Sequence, residues 1–315
     1  MNNRFVAAIA LVSLLLAVAP LPLRAENGDH TIGEGFVPDS LSVSDNPLSG
    51  TRVVINEDER KPVLTNAYPY STIGRVDLLT PRGRLTGNCT GTLIGRDLVL
   101  TNSHCIADEN TGDVLFPPEQ IRFRPNMIQG EAEIIGVTEF EYGWQEAPGE
   151  AAADWAILRL DEAIGDRFGY LGWVALDFDN PRVIDAIANQ IRLAGYSGDF
   201  PGAAQERFFG PAGDTAGQHA GCSVVDMAAA LNVNRRALAQ FAGQLFHACD
   251  TNPGASGSAL IGHWEDGVYV VLGLHAGANQ FDQPLNILGE GRSQAINRGV
   301  RVEQWAATAA RMWRD

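Results

Sequence analysis

The stretch "HACDTNPGASGSAL", residues 247–260, decides how this chain is read. It sets Ser256 between Gly254 and Gly257 in a turn that runs directly into the apolar segment "GSALIG". A Gly-x-Ser-Gly tetrapeptide is weak evidence in a chain with 34 glycines, and "GYSGDF" repeats the pattern at Gly195, Ser197 and Gly198. Whether Ser256 is a nucleophile or a turn serine therefore depends on what the rest of the chain supplies.

An activated serine needs three further things. They are a base within hydrogen-bond reach, a carboxylate to fix that base, and backbone N–H donors aimed where negative charge develops. "TGTLIGRDLVLTNSHC" (90–105) reads as a hairpin turning at "GRD", whose second strand delivers Ser103, His104 and Cys105. His104 is the candidate base. "AAADWAILRL" (151–160) places Asp154 at the mouth of an almost wholly apolar strand, where a carboxylate needs a partner because an unpaired buried charge is costly. Taken alone, Asp154 reads equally well as an exposed turn residue. The turn at Gly254 can point the N–H groups of Gly254 and Ser256 inward, and Gly257 allows close approach of a substrate to the backbone.

From Val53 onward, short apolar or alternating runs recur between turn signals: "TRVVIN", "YSTIGRVDLLT", "IRFRP", "EIIGVTEFEY", "WAILRL", "QIRLAGYSG", "VYVVLGLHAG". Their length and β-branched content predict a mostly antiparallel β protein, and the lack of regularly intervening helices disfavours a doubly wound sheet. Two Ala-rich segments, 226–246 and 302–315, carry apolar residues at helical spacing and are expected as helices. An α/β-hydrolase would need Gly-x-Ser-x-Gly with acid and histidine following. Ser258 and Asp199 stand where the second glycine belongs, although Asp266 and His275 do follow Ser256.

The N-terminus, "MNNRFVAAIALVSLLLAVAPLPLRA", reads as a secretory signal cleaved after Ala25, since the apolar run from Phe5 to Ala19 is shorter than the ~20 residues of a membrane span. Residues 26–52 are rich in Gly, Ser, Asp and Pro without periodicity and read as a propeptide or flexible leader. The formal charge of −15 argues against nucleic acid or an anionic membrane as partner. Four cysteines in an exported chain favour two disulfides over free thiols. The competing reading is zinc, held by His219, Cys222, His247 and Cys249, whose spacing does not exclude it. A Cys89–Cys105 bond would close a loop beside His104 and be worth roughly 3 kcal/mol.

The order "LTNSHC", "DWAIL", "CDTNPGASGSAL", "GLHAG" resembles the trypsin-like serine proteases, most of all their bacterial branch containing the glutamyl endopeptidases. The resemblance implies two antiparallel six-stranded β-barrels with the site in the cleft between them. His104 would be general base, Asp154 its orienter, Ser256 nucleophile, and Gly254 and Ser256 the oxyanion donors. Domain bounds follow: signal 1–25, leader 26–52, N-terminal barrel about 53–165, C-terminal barrel about 166–300, C-terminal helix about 302–315. The disulfides are read as Cys89–Cys105 and Cys222–Cys249. Ala255 stands where much of the family has the Asp that captures a freed N-terminal amine, so activation by that ion pair is excluded. Arg52 before "VVINEDERKPV" resembles the processing point of bacterial members, predicting a mature terminus at Val53.

Specificity is legible as two alternatives. Thr251 and His275 occupy the places that line the pocket for an acidic residue in glutamyl endopeptidases, whereas Asp250 occupies the place of the Asp that binds Lys or Arg in trypsins. The acidic preference is the expectation. The protein is thus expected to be a secreted or periplasmic monomeric endopeptidase acting on proteins or peptides, without cofactor or metal and without a membrane anchor after signal removal. A catalytically inactive relative that binds a partner is the rival from another class.

Overall fold

The computed structural model describes residues 31–41, 58–263, 268–287 and 291–314. The signal peptide, the Arg52–Val53 processing point, the run "TRVVIN" and Asp266 lie outside the described residues. Two short strands come first, β1 (Ile32–Gly33) and β2 (Lys61–Pro62). Six strands then form the first half: β3 (Ile73–Leu79), β4 (Leu85–Leu93), β5 (Leu98–Thr101), β6 (Ile121–Pro125), β7 (Ile135–Tyr142) and β8 (Ala156–Leu160). They close into a barrel in the order β3-β4-β5-β8-β7-β6. Its interior is filled by alternate apolar residues such as Val76, Leu93, Val99, Ile121, Phe123 and Leu158, all buried.

The second half contains β9 (Gly172–Val174), β10 (Ile191–Gly195), β11 (Gly217–Cys222), β12 (Gln244–His247), β13 (Ala259–His263), β14 (Tyr269–Ile287) and β15 (Gly291–Arg301). The counterpart of the expected second barrel is a nine-stranded sheet, made of the seven strands β9 to β15 with β1 and β2, both from the N-terminal part of the chain, added at its two ends. β12 joins through β15, and β9 runs parallel to β14. One apolar core crosses the two halves. Leu98, Leu100 and Ile157 of the barrel share it with Leu274 and Val300 of the sheet and with Trp305, Ala306, Ala309 and Met312 of the C-terminal segment. That segment is a helix over Ala306–Met312, and its buried residues fall at the three- and four-residue spacing read from the sequence.

Two expectations need correction. The Ala-rich segment 226–246 is not one helix. A helix spans only Met227–Leu231, a 3₁₀ segment follows at Arg235–Phe241, and the last residues belong to β12. Asp226 caps the start by accepting from the amides of Ala228 and Ala229, but Asn232 takes a left-handed conformation (φ 54°) that ends the helix. Asn234 then caps the next turn, so the Asn residues in "LNVN" outweigh the alanine content. The segment expected as a propeptide or flexible leader is not wholly flexible either: Ile32–Gly33 pairs with Trp173–Val174, and Phe36 bridges Tyr170. Gly33 is required there, because a Cβ on it would lie 2.4 Å from the Trp173 ring. Cys222 is bonded to Cys249 as expected, which leaves the competing zinc reading without its two thiolates.

Cys89 is bonded to Cys105, joining β4 to the turn after β5. Replacing both by Ala is expected to cost about 3 kcal/mol in denaturant unfolding. A loss below about 1 kcal/mol would mean that hydrogen bonds alone fix this turn.

Candidate active site

The site is assembled where strand ends of the barrel meet loops of the sheet. β5 and β8 are antiparallel with Thr101 opposite Ala156, so the residues just after β5 and just before β8 emerge at the same end of the barrel. His104 sits in the single 3₁₀ turn Ser103–Cys105, and Asp154 directly follows the 3₁₀ turn Ala151–Ala153. The two turns are joined by more than the side chains of interest. Asn102 donates its side-chain amide to the Asp154 carbonyl (2.6 Å), and the Ser103 hydroxyl lies 2.7 Å from the Trp155 carbonyl. Both polar side chains are buried, and neither was assigned a role from sequence although both stand in "LTNSHC".

Asp154 is fully buried. Its Oδ1 accepts the backbone N–H of His104 (3.1 Å), and its Oδ2 lies 2.8 Å from His104 Nδ1. Two bonds from one residue fix the imidazole ring and leave Nε2 facing the cleft, where His104 is half-buried. The exposed-turn reading of Asp154 is thereby excluded. Trp144 flanks the imidazole with ring centroids 6.3 Å apart.

Ser256 lies in the loop between β12 and β13, on the opposing wall of the same cleft. No hydrogen bond joins its hydroxyl to His104 among the described residues. The loop is tied on both sides. Thr90 of β4 donates its backbone N–H to Ser256 O (2.8 Å) and its hydroxyl to Gly254 O (2.9 Å). Within the sheet, Gly257 N donates to His275 O and Ser258 N to Ala255 O. The N–H groups of Gly254 and Ser256, by contrast, donate to no protein acceptor among the described residues. Gly257 does not serve substrate approach as its position suggested. It has φ +88°, and a Cβ there would meet Thr90 O at 2.1 Å and Thr101 Oγ1 at 2.4 Å.

Thr251 and His275 line the cleft with Ser256. Thr251 Oγ1 lies 3.0 Å from Asn297 Oδ1, and Asn297 donates to Cys249 O. His275 is backed by a second imidazole, with His247 Nε2 3.0 Å from His275 Nδ1. His247 Nδ1 accepts from Cys249 N, so Nε2 is the His247 donor, and neutral His275 carries its own proton on Nε2. Burial, reinforced by the neighbouring charges of His104 and Arg298, pushes the His275 pKa down to about 3. Burial, and then His275 itself, pushes His247 well below its ordinary value. Asp250 lines an adjoining pocket together with Thr251 and Asn297, where its carboxylate accepts from Glu59 N (3.0 Å) and lies 3.2 Å from His219 Nδ1. His247, Asn297 and Arg298 are site residues that the sequence reading missed. His247 was visible only as a metal candidate, and nothing local marks the other two.

The trypsin-like peptidase domain family model matches residues 89–273, more than half of the chain, and the protein belongs to that family. Glutamyl endopeptidase of Bacillus licheniformis is 26% identical over 166 residues, 52% of this chain and 48% of the relative. Exfoliative toxin A of Staphylococcus aureus is 38% identical over 99 residues, 30% of this chain and 31% of the relative. The chain thus spans about half, or less, of the length of these curated relatives. A Glu endopeptidase solved in complex with MPD shares the fold with a TM-score of 0.57, at 22% identity over 84% of this chain and all of its own. A thermostable serine protease, AL20, from an extremophilic microorganism gives a TM-score of 0.51 at 16% identity over 76% of this chain and 97% of its own.

Two measurements check this geometry. Gly257→Ala is expected to lose more than about 2 kcal/mol of stability, since strain and backbone contact both oppose it. Gly202→Ala, with nothing within 4 Å of its added carbon, is expected to change stability by under about 1 kcal/mol. The second concerns pH. Because His247 and His275 are held neutral when folded but take up protons near pH 6.5 when unfolded, their contribution is complete above that pH. It is lost as pH falls towards their depressed folded values. Well below pH 6.5, the pH slope of unfolding free energy is expected to shrink by up to about 1.4 kcal/mol per pH unit in His275→Gln. An unchanged slope would mean that this imidazole is not held neutral.

Proposed function

We propose that the protein is a serine endopeptidase in which Ser256 is the nucleophile, His104 the general base and Asp154 its orienter. The observation that carries this reading is the doubly bonded His104–Asp154 pair, facing a serine whose neighbouring amides are unspent. Ser256 Oγ attacks the scissile carbonyl carbon and its proton passes to His104 Nε2. The N–H groups of Gly254 and Ser256 receive the oxyanion. Collapse breaks the C–N bond, His104 protonates the leaving amine, and an acyl-enzyme remains on Ser256. Water, deprotonated by His104, then releases the second product. The chemistry needs no cofactor. A resting Ser256–His104 separation longer than a hydrogen bond is compatible with it, because such contacts tighten when substrate binds.

The preferred residue before the scissile bond is Glu or Asp. The His247–His275 pair supports this, since it presents a buried Nε2–H donor to a cleft also lined by Thr251. A carboxylate there gains a hydrogen bond and favours proton uptake by the imidazole pair. Asp250 is a poor anchor for Lys or Arg, because its carboxylate is already engaged by the Glu59 amide. The protein is made with a signal ending at Ala25, is exported to the periplasm or beyond, and becomes active on removal of the leader before Val53. It works as a monomer on protein or peptide substrates.

A fluorophosphonate probe is expected to label the processed protein on Ser256, with labelling and hydrolysis abolished in Ser256→Ala. N-terminal sequencing of the secreted form is expected to begin at Val53, and a peptide library to show cleavage after Glu or Asp. Absence of labelling on folded, processed protein would favour the inactive, partner-binding alternative. Cleavage after Lys or Arg would return the pocket to Asp250.

A further inference from the structure

The cleft holds one cationic side chain that the mechanism above does not use. β14 pairs with β13 only as far as Leu274, opposite Ala259. Beyond that point residues 276–278 line the cleft, and Gly277 and Ala278 pair on their other side with Arg298 and Asn297 of β15, Ala276 falling at an irregularity in the register. A sheet edge of this kind can accept an extended peptide by main-chain hydrogen bonds, and successive side chains of such a peptide point to opposite faces.

Asn297 and Arg298, adjacent on β15, serve those two faces. Asn297 turns towards Thr251 and Cys249, which is the proposed acid pocket. Arg298 turns the other way, towards Asp154. Its Nη2 is 4.0 Å from Asp154 Oδ2, too far for a hydrogen bond, and its Nη1 is buried with no hydrogen-bond partner. The guanidinium is reachable from the cleft because Gly277 has no side chain: a Cβ there would stand 3.7 Å from Arg298 Nε and Nη2. Of the residues lining the cleft, Glu109 and Asp154 are acidic and Arg298 alone carries a fixed positive charge. A guanidinium whose donors are unspent, beside a carboxylate it does not bond, is better suited to receive a ligand carboxylate than to neutralise Asp154.

We propose that Arg298 forms a second acid-binding subsite, which takes the carboxylate of the substrate residue immediately preceding the one in the Thr251–His275 pocket. The protease then reads two consecutive acidic residues before the scissile bond. This rests on the peptidase reading given above and extends its substrate class from a single acidic residue to an acidic pair.

The test uses quenched fluorescent peptides with Glu before the scissile bond and Glu, Gln or Lys one residue earlier. The wild-type protein is expected to cleave the Glu-Glu peptide about tenfold better in kcat/KM than the Gln-Glu peptide, with Lys-Glu the poorest. In Arg298→Gln the Glu-to-Gln ratio falls to about one, and Arg298→Lys retains part of it. High salt compresses the wild-type ratio, as a partly exposed charge pair requires. A wild-type ratio near one on peptides that are cleaved after Glu overturns the subsite and leaves the first pocket intact. A ratio that survives in Arg298→Gln, with both peptides slowed equally, also overturns it and assigns Arg298 to the support of Asp154. If no peptide is cleaved after Glu, the acid-pocket reading fails. The same series built on the residue that the library selects then still decides the role of Arg298.

Discussion

At the candidate site the two halves of this molecule are joined through Thr90, and the geometry there depends on how that residue is bonded. Its amide and hydroxyl hold the carbonyls of Ser256 and Gly254, and its hydroxyl also receives the amide of Tyr196. Its own carbonyl accepts the hydroxyl of Thr101, three residues before His104. The preceding residue, Cys89, is bonded to Cys105, the neighbour of His104. The path from base to nucleophile therefore runs through one disulfide, a few backbone bonds and two short hydrogen bonds. A hydroxyl donor and a hydroxyl acceptor on one β-branched side chain with few rotamers make this junction stiff.

Stiffness on that side is matched by burial on the other. Asp154 has no exposed surface, and its charge is met by two donors from His104 and a guanidinium further off. An ionised carboxylate in that position is tolerable only while those groups stay in place, so the turns carrying them are tied to one another through Asn102 and Ser103. The histidine pair behind the cleft follows the opposite logic. Neither ring has a carboxylate partner among the described residues, and both are kept uncharged by burial, so each ring has one donor and one acceptor with defined directions.

How much of this could be read in the sequence follows from the range of the interactions involved. His104, Asp154 and Ser256 stand in short motifs whose neighbours, a cysteine, an apolar strand and a glycine turn, are themselves local signals. The strands of the first barrel were legible as short apolar or alternating runs between turn signals, while their closure into a barrel was implied only by the family resemblance. Arg298 and Asn297 were not, since β15 reaches the site only by pairing with β14, and "SQAINRG" carries nothing that fixes that register. The segment 226–246 was misread for a related reason. Alanine content favours helix, but two asparagines cap and end short turns, and "QLFH" is held as a strand by β15 rather than by its own propensity. Gly257 was noticed, yet its role depends on Thr90, a residue 167 positions away.

The strand Ile32–Gly33 pairs with β9 upstream of the point where processing is proposed. While the chain is intact, tethering keeps this strand at a high local concentration beside its partner, so even a two-residue pairing persists. Once the chain is cut after Arg52, the same pairing becomes a contact between two molecules and must bear the entropy of association without the tether. So short a strand offers few hydrogen bonds to set against that cost. Cutting at the proposed point would then let the released segment be lost by dilution and would uncover the face of Trp173 on which Gly33 rests.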